Sequence, residues 1–156
     1  MRLTTFSDYS LRVLMYLGVQ PDRLATIGEI AAAYRISENH LMKVVHALGV
    51  CGYIYTVRGK GGGIRLAKPP HDIKVGEVVR AIEDDWSLVE CFEPARSECR
   101  IGPACALRGV LRQALKSFFS TLDRYTLADL IKPRERLTRI LIRGQPASAR
   151  KAGSAR

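Results

Sequence analysis

Apolar positions recur every three or four residues along much of this chain, and the breaks in that rhythm divide it into elements. In YSLRVLMYLG, residues 9–18, Leu11, Leu14, Met15 and Gly18 share one face and predict a first helix, which Ser7 or Asp8 can cap. Pro21 and Asp22 end it. Thr26 and Glu29 form a capping box before an Ile-Ala-Ala-Ala run, so a short second helix is expected from about 27 to 34. Ser37 caps a third, SENHLMKVVHALG, in which Leu41, Val44, Val45 and Leu48 face inward and Gly49 closes the helix. Two short helices joined by a tight turn at 34–37 have the spacing of a helix-turn-helix.

The period then shortens. Residues 53–57 and 64–67 are rich in β-formers, and between them RGKGGG is a glycine-dense turn carrying Arg58 and Lys60. A hairpin placed directly after the third helix is a wing. The helical period returns at 73–83, IKVGEVVRAIE, with Val75, Val78, Val79 and Ile82 on one face. Residues 84–104 read as a loop with Pro94, Gly102 and Pro103. A long helix starts near Cys105, and Leu107, Val110, Leu111, Ala114, Leu115, Phe118, Phe119 and Leu122 form a stripe along it. One small wing domain cannot cover so long a stripe, which points to a helix from a second subunit. A last helix is expected over 126–131. The fold class is therefore mainly α with a small β-hairpin wing: a winged helix-turn-helix, residues 1–70, followed by a loop and dimerisation helix, 71–131, and a tail, 132–156.

Charge sharpens this division. Residues 1–70 carry nine Lys/Arg and four Asp/Glu, residues 71–131 eight and ten, and residues 132–156 eight and one. The first segment is basic in its own right, as a nucleic-acid binder requires. The tail, ending QPASARKAGSAR, is expected to be disordered. An apolar content of 47% permits a folded core, and no apolar run reaches the roughly 20 residues of a membrane span. The N-terminus lacks the apolar stretch of a secretory signal, so a cytoplasmic location is expected.

Cysteine carries the candidate chemistry. Cys91, Cys99 and Cys105 fall within fifteen residues, spaced C-x7-C-x5-C, while Cys51 stands alone among apolar neighbours as a plain buried thiol. Thiolates select iron–sulfur clusters or zinc. Structural zinc sites favour C-x2-4-C pairs, which these spacings do not provide. A cluster-free thiol switch is a further reading of the same residues. His40, His46 and His71 are distant from the trio in sequence. No acid–base or nucleophile constellation is present, so an enzyme is not expected.

For DNA, the candidates are Ser37, Glu38, Asn39, His40 and Lys43 on the first turns of the third helix, although a polar face is also what any solvated helix presents. Lys60 in the wing suits a phosphate contact, with Thr4 and Arg2 as further phosphate candidates. Asp8 at a helix start is by itself a cap or dipole partner, with Arg12 one turn on as its ion pair.

The helix-turn-helix, VRGKGGGIRLAKP, KVGEVVRAIE and the cysteine triplet before a long helix together resemble the NsrR-type regulators, winged-helix iron–sulfur repressors grouped with IscR and RirA. The resemblance covers about residues 1–135. It implies a homodimeric repressor on a near-palindromic DNA operator, holding a 4Fe–4S cluster that nitric oxide destroys. It also implies cluster ligation by Cys91, Cys99 and Cys105, with Asp8 of the other subunit as an oxygen ligand steadied by Arg12. Arg58 matches the position from which such proteins enter the minor groove. The 2Fe–2S relatives of IscR type place a histidine three residues after the third cysteine, where this chain has Arg108. An iron-responsive repressor of RirA type shares the cysteine spacing and stays open, as does a zinc- or thiol-containing DNA-binding protein.

Overall fold

The computed structural model describes residues 3–83, 85–92, 99–101 and 104–143. Helix α1, Thr5–Val19, runs through the centre, with Val13, Leu14, Tyr16 and Leu17 buried. Its cap is Thr4, whose Oγ1 accepts from Ser7 N at 3.2 Å. The helix therefore begins earlier than Ser7 or Asp8. Ser7 is instead buried, and Asp8 occupies the first turn, where a carboxylate suits the helix dipole.

Helix α2, Ile27–Tyr34, starts with the expected capping box of Thr26 and Glu29. It ends at Arg35 in the left-handed region, φ 56°, which turns the chain sharply into α3, Glu38–Val50. Ser37 caps α3 as expected. Gly49 does not close it: the helix continues to Val50, and Gly52, at φ 73°, makes the exit. Leu41, Val44, Val45 and Leu48 are buried against α1 and α2, burial worth about 1.5–3 kcal/mol for each large side chain.

The wing is the antiparallel pair β1, Ile54–Val57, and β2, Gly63–Leu66, with Ile54 opposite Leu66 and Val57 opposite Gly63. Ala25 adds a one-residue bridge to Ile64 on the inner side of β2, with N···O distances of 3.0 and 2.8 Å. The hairpin is thereby fastened to the segment that enters α2.

Helix α4, Val75–Ile82, buries Val75, Val78, Val79 and Ile82. Helix α5 spans Ala106–Leu122, and α6, Leu127–Leu130, opens with a capping box of Thr126 and Asp129. The return chain is strapped to the start of α4: Val75 N donates to Tyr125 O at 2.9 Å and Leu127 N to Ile73 O at 2.8 Å. At the far end of α4, Arg80 pairs with Asp123, and its guanidinium lies 4.8 Å from the Phe119 ring. The Trp86 ring meets the same ring in a T-shaped arrangement, with centroids 4.6 Å apart. No residue of α5 is fully buried, and Leu107 and Val110 are each 61% exposed. Among the described residues, the C-terminal half of the apolar stripe thus finds a partner in Trp86, while the N-terminal half lies open.

Residues 134–143 depart from the expected tail. Helix α7, Arg134–Thr138, continues into a wider helical turn, Arg139–Arg143, and Leu141 is buried in the core with Leu137 and Ile142 beside it. Composition misled here because the arginines outnumber, but do not interrupt, an apolar spacing of Leu137, Ile140 and Leu141. Residues 144–156 lie outside the described part. Among the described residues no helix is long and apolar enough to cross a membrane.

Candidate nucleic-acid interface and thiol site

Ser37, the cap of α3, and Glu38, Asn39, His40 and Lys43 on its first turns are all exposed. Their positions are not equivalent. The Ser37 oxygen accepts from His40 N at 3.3 Å, so its first duty is to cap the helix. Glu38 leans back over α2, where a Cβ on Gly28 would lie 3.4 Å from its Oε1. The His40 ring rests near Tyr9 of α1, with centroids 6.4 Å apart. Asn39 and Lys43 project without a hydrogen bond or ion pair among the described residues. Arg58 and Lys60 are exposed at the wing tip, where Gly59 and Gly61 take positive φ and Gly62 N closes the turn on Gly59 O at 2.9 Å. Cations and hydrogen-bonding groups therefore sit on two separated, exposed elements joined through the Ala25–Ile64 bridge. Thr4 is committed elsewhere: its N–H and hydroxyl both donate to Glu83 Oε1 at 2.8 Å. Arg2 lies outside the described residues.

Asp8 and Arg12 form a two-pronged ion pair, Nε to Oδ1 at 3.1 Å and the terminal nitrogen to Oδ2 at 2.8 Å. The Asp8 side chain is 45% exposed, so the carboxylate faces outward while held. The Arg12 guanidinium also lies 5.9 Å from the Tyr9 ring and 5.8 Å from the Tyr34 ring. Burial pushes the Tyr34 hydroxyl up to about 12, against the opposing pull of Arg12, so it stays neutral. Asp8 is thus connected through Arg12 to α2 and through Tyr9 to the first turn of α3. Sequence reasoning paired Asp8 with Arg12 from their one-turn spacing. It missed the aromatic rings, because Tyr34 reaches Arg12 only once α2 has folded back on α1.

The cysteines are free thiols, each partly buried. Cys91 sits on a short 3-10 turn, Glu90–Phe92, and the neighbouring Phe92 ring is covered by Arg112 of α5 at 5.8 Å. Cys105 is the N-cap residue of α5 and makes no side-chain capping bond, so its sulfur remains available at the positive end of that helix. Among the described residues, no three Cys, His, Asp or Glu side chains stand close enough together to hold a metal ion. The donor set nonetheless suits iron in kind, since soft thiolates favour clustered iron. One further observation points the same way: Arg108, one turn after Cys105, has its Nε buried with no hydrogen-bond partner among the described residues. An unpaired buried donor is costly, and an anionic thiolate set beside it would supply the missing acceptor. Cys51 lies apart, at the end of α3, its Sγ 4.0 Å from Ala81 O.

A helix-turn-helix, a wing fastened to it and cations on both define a winged-helix DNA-binding regulator. The family model for Rrf2, described as iron-dependent transcriptional regulator, matches residues 3–133. This chain belongs to the Rrf2 family of transcriptional regulators. It is 51% identical over 142 residues to the HTH-type transcriptional regulator NsrR of Bacillus subtilis, covering 90% of this chain and 97% of that one. The NsrR of Geobacillus kaustophilus gives the same identity and coverage. Among solved structures, T. potens IscR superposes with a TM-score of 0.70 at 26% identity, covering 87% of this chain and 90% of that chain. CymR, the global cysteine regulator of B. subtilis, superposes at 0.69 with 26% identity, covering 83% and 95%. The chain is a DNA-binding transcriptional regulator and not an enzyme.

Proposed function

We infer that this protein is a homodimeric repressor of NsrR type, binding a near-palindromic operator and releasing it when nitric oxide damages a 4Fe–4S cluster. The observation that carries this reading is the set of three free thiols leading into α5, with Arg108 rather than histidine one turn after the last of them, its Nε without a partner among the described residues. Cys91, Cys99 and Cys105 would hold the cluster, with Asp8 of the partner subunit as the fourth ligand. A cluster held by these residues would supply iron able to react with nitric oxide.

The chain's own residues offer a route from that site to DNA. Asp8 shares α1 with Tyr9 and Arg12, and those side chains touch α2 and the first turn of α3. A carboxylate held by an outside partner constrains Arg12 differently from one left free, and the difference reaches the α3 start through packed rings. The open half of the α5 stripe, with Leu107 and Val110 exposed, supports pairing with a second copy. Asn39, His40 and Lys43 would face the major groove, Arg58 a narrow minor groove and Lys60 a phosphate.

The test is anaerobic titration of the iron-loaded protein with nitric oxide while binding to a selected DNA duplex is followed. Loss of DNA affinity in step with cluster loss is expected; a cluster that reacts while affinity holds refutes the mechanism. The iron-dependent character of the family favours a second reading, an iron-responsive repressor. That reading wins if chelation alone abolishes binding and nitric oxide has little effect. Anaerobically purified protein that is colourless and contains zinc or no metal refutes both.

A further inference from the structure

We propose that Met42 reads DNA sequence, its thioether side chain packing on the 5-methyl group of a thymine next to the base pair contacted by Asn39. This rests on the reading of α3 as the helix in the major groove. The buried residues Leu41, Val44, Val45 and Leu48 mark the inner face of α3; Asn39, Met42, Lys43, His46 and Val50 are exposed on the outer side. Two of these are large apolar side chains, Met42 at 51% exposure and Val50 at 75%. Val50 ends the helix, far from the turns that reach base edges. Met42 lies one turn from Asn39, within those turns.

The geometry selects a neighbouring base pair. Three residues along a helix advance about 4.5 Å, close to the roughly 3.4 Å step between stacked pairs. The major groove offers one apolar feature, the thymine methyl, alongside donors and acceptors that a thioether cannot satisfy. Asparagine is suited to the N6 and N7 edge of adenine. Together the two side chains specify adjacent A·T pairs in each half-site. Methionine is unbranched and adaptable, so it can follow the methyl without strain. Gly49, two turns beyond Met42 on the same face, has nothing among the described residues within 4 Å of where a Cβ would stand.

The test uses the full-length, anaerobically iron-loaded protein and a pool of randomised DNA duplexes. Wild type is expected to enrich a thymine at one position of each half-site, and Met42→Ala to lose that preference while keeping the rest of the sequence. Replacing that thymine by deoxyuridine, which removes only the methyl group, should weaken wild-type binding about fourfold and leave Met42→Ala unaffected. The proposal is overturned if deoxyuridine leaves wild-type affinity unchanged or if Met42→Ala retains the thymine. Asn39→Ala and Lys43→Ala separate this from the underlying reading. If neither changes affinity or selected sequence, α3 is not the reading helix and both fall. If they do and Met42→Ala does not, the present proposal alone falls. Met42 is exposed, so its truncation should leave the melting temperature unchanged.

Discussion

Thr4 gives both its backbone N–H and its hydroxyl to a single oxygen of Glu83, each at 2.8 Å. Thr4 caps α1, and Glu83 follows the last residue of α4. The start of the central DNA-domain helix is therefore anchored where the chain departs toward the cysteines. Their pairing is not readable along the chain, since 79 positions separate them.

This anchor should be sensitive to pH. Burial opposes ionisation of Glu83, but the hydrogen bonds from the Thr4 N–H and hydroxyl outweigh it and hold the carboxyl below its ordinary value. A lowered folded value adds stability above the ordinary carboxylate range, and that stability is lost as pH falls through the folded value. Glu83→Gln should cost about 1 kcal/mol near neutral pH, and the difference from wild type should shrink in acid. Urea unfolding of both proteins from about pH 7 to about pH 3 measures this; a constant difference contradicts it.

Gly76 and Asp123 make a second tight joint. A Cβ at Gly76 would collide with the Asp123 carboxylate, which is paired with Arg80. Gly76→Ala should destabilise the α4–α5 joint by about 1–3 kcal/mol despite its better helix propensity. Adding Asp123→Ala should recover part of the loss, because the colliding group is gone. Thermal unfolding of the two single variants and the double variant decides it; strict additivity argues against the clash.

The open half of α5 should govern assembly. Leu107→Glu or Val110→Glu places charge on a surface that the monomer leaves exposed. Each should leave the helical signal of the monomer intact and weaken self-association by about tenfold or more. Sedimentation over a range of concentrations measures the effect, and unchanged association would remove this face from the interface.

Arg108 should influence metal retention. Its buried Nε has no hydrogen-bond partner among the described residues, and a thiolate set held one turn away at Cys105 would offer it an acceptor. Arg108→Leu keeps bulk and removes the donor. Iron bound per chain after anaerobic reconstitution should fall, and the remaining cluster should yield to a chelator sooner. If iron content and release rate match wild type, Arg108 does not face the thiol site.

Much of the architecture was legible because it depends on local rules. The Thr26–Glu29 capping box, the Ser37 cap and the wing hairpin each arise from a few adjacent residues, and all stand where the pattern placed them. The errors also have local causes. Thr4 rather than Ser7 or Asp8 caps α1 because the helix begins outside its apolar stripe. Gly49 looked like a terminator, yet termination falls to Gly52 after Leu48 has been seated.

The sequence by itself determined the helix-turn-helix, the wing, the polar face of α3 and the thiol donors, since periodicity, capping chemistry and ligand type are properties of neighbouring residues. Tertiary structure alone decided what those parts touch. Arg12 between Asp8 and two tyrosines, Trp86 on Phe119, Thr4 on Glu83 and the burial of Leu141 all join residues from separate elements. Such contacts follow from the way packed helices bring distant side chains together, and no local pattern along the chain encodes that meeting.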